Sequence, residues 1–230
     1  MSDYSIYYGM TALAFLITFG AQAYIRSMYD KYSRIDTYRH IKGNEAANII
    51  LQNNGLNEVS VNQVTGYLQD HYNPKSKMVA LTPNNYESTS IASVAVSCHE
   101  CGHALQDKEG YALLRLRADL FPVVRFSSFA GYTAITIGII FSLINMIYLG
   151  IFLEIIVLLF QFITLPIEFD ASSRALEQII ENNILSNEEV EGARKVLNAA
   201  ALTYVASVST TLIEIVRLMI MVRPRNNRRN

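Results

Sequence analysis

The sequence predicts a mainly α protein: a polytopic membrane helix bundle that carries a small α+β domain. Three observations predict it. Long stretches lack any charged residue: Tyr4–Ile25 over 22 residues, Phe126–Leu153 over 28, Ile155–Ile167 over 13 after a lone Glu154, and Val196–Ile213 over 18. Most of these reach or exceed the roughly 18–20 residues that cross a bilayer as a helix. Between the first two stretches lie short runs with strand character. Just after those runs comes "VAVSCHECGHALQ", residues 94–106, which holds two of the chain's four histidines and both cysteines.

The first apolar segment reads as a retained transmembrane helix. "AQA" at 21–23 has the form of a signal-peptidase site, but the flank before it carries Asp3 and no lysine or arginine. A signal peptide needs a basic n-region. All 19 lysines and arginines lie after position 25, and Arg26, Lys31, Arg34, Arg39 and Lys42 directly follow the first span. The positive-inside rule then puts residues 26–125 in the cytoplasm and the N-terminus outside.

Within 26–125, "GNEAANIILQNNGL" (43–56) predicts a short helix, with Asn44 as its cap and Gly55 as its stop. "VSVNQVTGYLQDHY" and "KMVALT" predict strands around the turn "NPKS". A strand edge there could hold an extended peptide by backbone hydrogen bonds, or the sheet could simply cover the next helix.

That helix is residues 91–106, apolar at its flanks, with Ser88, Thr89 or Ser90 to cap it. At about 100° per residue, His99 and His103 lie about 40° apart on one face. Cys98 and Cys101 point nearly the opposite way, so the four groups cannot share one tetrahedral ion. A bridge between the two cysteines on one helical turn is strained, so they read as buried, reduced thiols. What remains is H-E-x-x-H: His99 and His103 as metal ligands with Glu100 beside them as general base. Gly102 offers no side chain between the histidines, so another backbone can approach. This spacing points to one zinc ion, Zn2+, in a small cytoplasmic zincin-like domain.

The run 126–167 predicts a helical hairpin of two spans turning near "NMIYLG" (145–150), with the chain re-entering the cytoplasm at Glu168. Residues 168–198 form a cytoplasmic segment, where "SNEE" (186–189) matches a capping box. A hydrophobic helix over 199–222 and a basic, disordered tail over 223–230 follow. Glu214 and Arg217 can pair within that last helix. If it spans, its tail of four arginines lies outside, against the charge rule; if it lies partly embedded, the tail stays inside. The second fits the rule better, and both remain open.

Catalytic zinc needs a third protein ligand. The glycine and histidine of a metzincin extension are absent, since "HALQDKE" has Gln106 and Glu109 there. Asp119 is the lone carboxylate between 110 and 153, and Glu154 falls within the bilayer. Glu168 comes next, on the histidines' side of the membrane, where Pro166 ends or bends the span. On spacing alone, Glu168 reads equally well as a ligand and as a polar cap of a membrane helix.

The stretches "DHYNPKSKMVALTP", "SIASVAVSCHECGHALQ", "LPIEFDASSRAL" and "VEGARKVLNAAALTYVA" resemble the bacterial YugP-type neutral zinc metallopeptidases over nearly the whole chain. The order H-E-x-x-H, two spans, then Glu-x-x-Ala also resembles the HtpX and CAAX-protease membrane metallopeptidases. That resemblance implies Glu168 as third zinc ligand beside His99 and His103, and a peptidase in the plasma membrane of a bacterium. The chain departs from the pattern once. The family's aspartate four residues after the glutamate is Ser172 here, which puts its supporting role in question.

His71 and Tyr204 are candidates for an oxyanion donor, against a structural role for each. Arg174 could pair with a carboxylate near the site or face lipid headgroups; His40 reads as surface. The expected partners are a peptide or membrane-protein substrate and the lipid bilayer. A formal net charge of -1 with no interleaved basic and aromatic surface argues against nucleic acid. Two other functions compete with the peptidase. One is a non-catalytic membrane protein with a structural metal site, for which Glu100 would have no use. The other is a thiol redox protein built on Cys98 and Cys101.

Overall fold

The computed structural model describes residues 3–65 and 70–223. The order is α1 (Asp3–Tyr32), α2 (Gly43–Asn53), β1 (Ser60–Gln63), β2 (His71–Asn73), β3 (Met78–Leu81), α3 (Pro83–Tyr86), α4 (Ile91–Lys108), α5 (Ala112–Ile140), α6 (Ile144–Glu181) and α7 (Asn187–Val222). The protein is mainly helical with one small sheet. Four of its helices, α1, α5, α6 and α7, are long and apolar enough to cross a membrane. The chain divides into two compact units. Among the described residues, one comprises 3–20, 117–164 and 204–223; the other comprises 21–65, 70–116 and 165–203.

The second unit has a conventional protein core. Ala46, Ala47, Ile50 and Leu51 of α2 pack with Val94, Ala95, Cys98 and Cys101 of α4, and with Ala175, Ile179, Ala193 and Leu197 from α6 and α7. Burial of these apolar faces is what orders helices too short to stand alone. The N-cap position of α2 is Lys42, not Asn44 as the sequence suggested. Lysine offers no acceptor, so Glu45 supplies the cap by accepting the Lys42 backbone N–H at 2.9 Å. Gly55 stops the helix as expected, at φ +67°.

The sheet has the order β1-β3-β2, with β1 parallel and β2 antiparallel to β3. The stretch predicted as one strand from 59 to 72 is therefore divided. A single strand cannot pair with both edges of β3, so β1 takes one edge and β2 the other. Residues 66–69 of that prediction lie outside the described residues. Central β3 is the buried strand, with Val79, Ala80 and Leu81 fully enclosed.

The first unit has a sparse core: Ile147, Ile151 and Leu158 of α6 against Val208, Ile215, Leu218 and Val222 of α7. Its outer faces carry Phe15, Phe19, Phe126, Phe129, Tyr132 and Phe152, all more than half exposed, as lipid-facing side chains are. The hairpin turns at residues 141–143, ahead of the predicted 145–150. Residues 144–150 continue α6, and Gly150 within them is a contact point, since a Cβ there would stand 2.3 Å from Ile135 Cγ1; at Gly138 a Cβ would stand 2.5 Å from Ile147 Cγ1. Small residues of this kind let membrane helices approach. Pro166 does not end α6, which continues through it to Glu181. In α7, Arg217 pairs with Glu214, donates to Thr11 Oγ1 of α1 at 2.9 Å and sits 4.8 Å above the Tyr7 ring.

Candidate metal centre

Helix α4 starts at Ser90, whose hydroxyl accepts the Ser93 N–H at 3.2 Å. From that start, the helical repeat stacks His99 under His103, with ring centroids 4.9 Å apart at 80°. Between them Gly102 lies against α6. A Cβ there would meet the Ala171 carbonyl oxygen at 2.3 Å, so only glycine admits this approach. The contact brings Glu168, one turn earlier on α6, to the two imidazoles. Its Oε2 stands 3.3 Å from His99 Nε2 and 3.6 Å from His103 Nε2.

One ligand atom from each of the three lies within 4.8 Å of the others, the arrangement that can hold a metal ion. Tetrahedral zinc with bonds of about 2.0–2.1 Å has ligand–ligand edges of about 3.3–3.4 Å. One of the two separations from Glu168 lies at that edge and the other slightly above it, and the third stays within 4.8 Å, so the donor set suits such an ion. Glu168 and His103 are buried and His99 is nearly so. Glu100, beside the first histidine, is buried too. Burial opposes a charge on His103, but the nearby carboxylates of Glu168 and Glu100 prevail and raise its pKa.

A ring of polar contacts stands behind the trio. Ser172 Oγ is 3.2 Å from His99 Nδ1. The serine that departs from the resembled pattern thus still reaches the first histidine. Gln106 Oε1 is 3.0 Å from His103 Nδ1, and Gln106 Nε2 donates to the Ile167 carbonyl and to Asp170 Oδ2, both at 2.8 Å. Arg174 Nε donates to the same Asp170 oxygen at 2.6 Å, and its Nη1 pairs with Glu109 Oε1 at 2.8 Å. Of the two readings of Arg174, carboxylate pairing is therefore the one seen.

Gln106 and Asp170 were not picked out as site residues from the sequence. The available signal was position: Gln106 follows His103 by three residues on a helix, hence on the same face, and it is a fully buried amide. His71 is exposed on edge strand β2 and is not part of the metal-binding trio. Tyr204 belongs to the other unit and is likewise outside the trio. His40 is exposed. Cys98 and Cys101 are free, fully buried thiols, and burial pushes both pKa values up. A redox centre needs an accessible thiolate, so these cysteines are core residues.

Residues 7–223 match the family described as "putative neutral zinc metallopeptidase". The chain belongs to this family. It is 42% identical over 212 residues to "Putative membrane protease YugP" of Bacillus subtilis (strain 168), covering 92% of this chain and 94% of that one. No solved structure matches.

Proposed function

We propose that the protein is a membrane-bound zinc metalloendopeptidase. His99, His103 and Glu168 hold one zinc ion, and Glu100 is the general base. The observation that carries this reading is the convergence of three ligand atoms around one point, with a buried glutamate next to the first of them. A structural site has four protein ligands and no use for a base, whereas a catalytic site has three and an open position.

Zinc bound there supplies Lewis-acid activation of a water and polarisation of the scissile carbonyl. The chain's own groups do the rest. A Glu100 carboxylate oxygen takes a proton from the attacking water and later delivers it to the nitrogen of the leaving amine. The metal-binding residues hold their positions because α4 and α6 are packed at Gly102 and Ala171. Their burial excludes bulk water, which strengthens each of these charge interactions.

The charge pattern supports a site on the cytoplasmic face of the plasma membrane, with α1, α5 and α6 as crossing helices; α7 is long and apolar enough to cross, but crossing would carry the arginine tail outside, against the same rule. That location suits peptide segments close to the bilayer as substrates. The test is zinc content and peptide cleavage of the purified protein in detergent against Glu168→Ala. Near-stoichiometric zinc in the parent, with both zinc and cleavage lost in the variant, supports the reading. Full zinc in Glu168→Ala contradicts the assigned ligand set. Zinc without cleavage of any peptide favours a non-catalytic protein with a structural metal.

A further inference from the structure

We infer that Gln106 is a positioning residue, locked by Ile167 and Asp170 so that it commits His103 to a proton on Nδ1 and presents its Nε2 lone pair to the metal. This rests on the zinc-site reading above. The argument is one of donors and acceptors. The Ile167 carbonyl and the Asp170 carboxylate can only accept hydrogen bonds. Both lie 2.8 Å from one nitrogen, Gln106 Nε2. That nitrogen spends both its hydrogens on them, so the amide cannot turn over without leaving two acceptors facing Oε1. Its Oε1 therefore faces His103 Nδ1 at 3.0 Å as an acceptor. An acceptor there requires a hydrogen on Nδ1, which leaves Nε2 as the ring's free donor atom. Nε2 is the nitrogen that faces Glu168.

The lock extends outward. Asp170 is held by Arg174 at 2.6 Å, and Arg174 is held in turn by Glu109 at 2.8 Å. Glu109 follows α4 directly, while Asp170 and Arg174 are on α6, so the chain of contacts begins and ends at α4. At the other histidine the partner of Nδ1 among the described residues is the Ser172 hydroxyl, at 3.2 Å, and a hydroxyl can donate or accept, so it fixes no tautomer. His103 is thus the pre-set ligand and His99 the one whose tautomer is settled when metal binds.

The alternative is that Gln106 merely fills buried space between the two helices. Gln106→Met fills that space and removes the hydrogen bonds. Asp170→Asn keeps an acceptor for the Gln106 nitrogen; Asp170→Leu does not. The full-length proteins are compared in detergent by zinc affinity, from competition with a chelator, and by the ligand-field absorption of the cobalt(II)-substituted forms. The expected result is about 10–100-fold weaker zinc binding and a shifted cobalt band for Gln106→Met. Asp170→Leu should resemble it, and Asp170→Asn should stay close to the parent. If Gln106→Met fails to fold, the Asp170 pair decides, because Asp170 is partly exposed. Unchanged zinc affinity and cobalt spectrum in Gln106→Met overturn the inference and leave the zinc site standing. So does an Asp170→Asn variant as weak as Asp170→Leu, which would assign the effect to charge and not to the amide lock. A parent protein that binds no zinc overturns both.

Discussion

Each of the two units contains an arginine engaged with carboxylate and polar partners on the helices, and the two serve opposite ends. Arg174, in the unit with the candidate metal trio, stands on a chain of contacts that runs from Glu109 through Asp170 and Gln106 to His103. Arg217, in the unit of lipid-facing helices, pairs with Glu214 three residues away and reaches Thr11 and Tyr7 beyond it. In the first case the ion pair directs geometry at a site. In the second it neutralises a charge and ties α1 to α7. The cores differ in the same sense. One unit encloses its apolar side chains in protein; the other leaves large aromatics exposed on its outer faces. An arginine–carboxylate pair on a helix is thus not by itself evidence of a site: what lies at the far end of its contacts decides.

The comparison breaks most readily at Gly102. Gly102→Ala drives a methyl group into the Ala171 carbonyl, and overpacking of this kind costs about 1–3 kcal/mol or more. The helices must part, so zinc content should collapse although every ligand is present. Zinc retained at the parent level would mean that α6 does not depend on this contact.

Arg217→Leu acts on the other unit. Leaving Glu214 without its partner should cost about 1 kcal/mol, since the pair is only partly buried, seen as a slightly lower thermal midpoint in detergent. Zinc per folded molecule should not change, and Glu214→Leu added to Arg217→Leu should recover much of the loss. A drop in zinc content from Arg217→Leu alone would erase the distinction between the two arginines.

Ser172→Asp sharpens it by a smaller step. A carboxylate facing His99 Nδ1 replaces a hydroxyl with a charge-assisted acceptor. Zinc should then bind up to about tenfold more tightly, the scale on which such outer partners act. Weaker binding would show that the added charge beside Glu168 outweighs the better acceptor.

The parts legible in the sequence are those set by local repeats. His99, Glu100 and His103 follow from a helical period of 3.6, the four apolar helices from uninterrupted hydrophobic runs, and Gly102 from its place between two ligands. The family, too, could be read from its motifs. What escaped was set by contacts across long separations. Gln106 meets Ile167 and Asp170 more than sixty residues away. The stretch 145–150 reads as a turn, yet it continues α6, and Gly150 within it serves a contact that the partner Ile135 reveals. One apparent strand became two because β3 needed a partner on each edge.

The central claim is that Glu100 works on a reacting water while His99, His103 and Glu168 hold the ion. Zinc content and peptide cleavage of Glu100→Gln, measured beside the parent protein, test it most directly. The account predicts near-stoichiometric zinc in both and a loss of cleavage in Glu100→Gln of about 10²–10⁴-fold, the range of general acid–base catalysis. Cleavage by Glu100→Gln at the parent rate would contradict it.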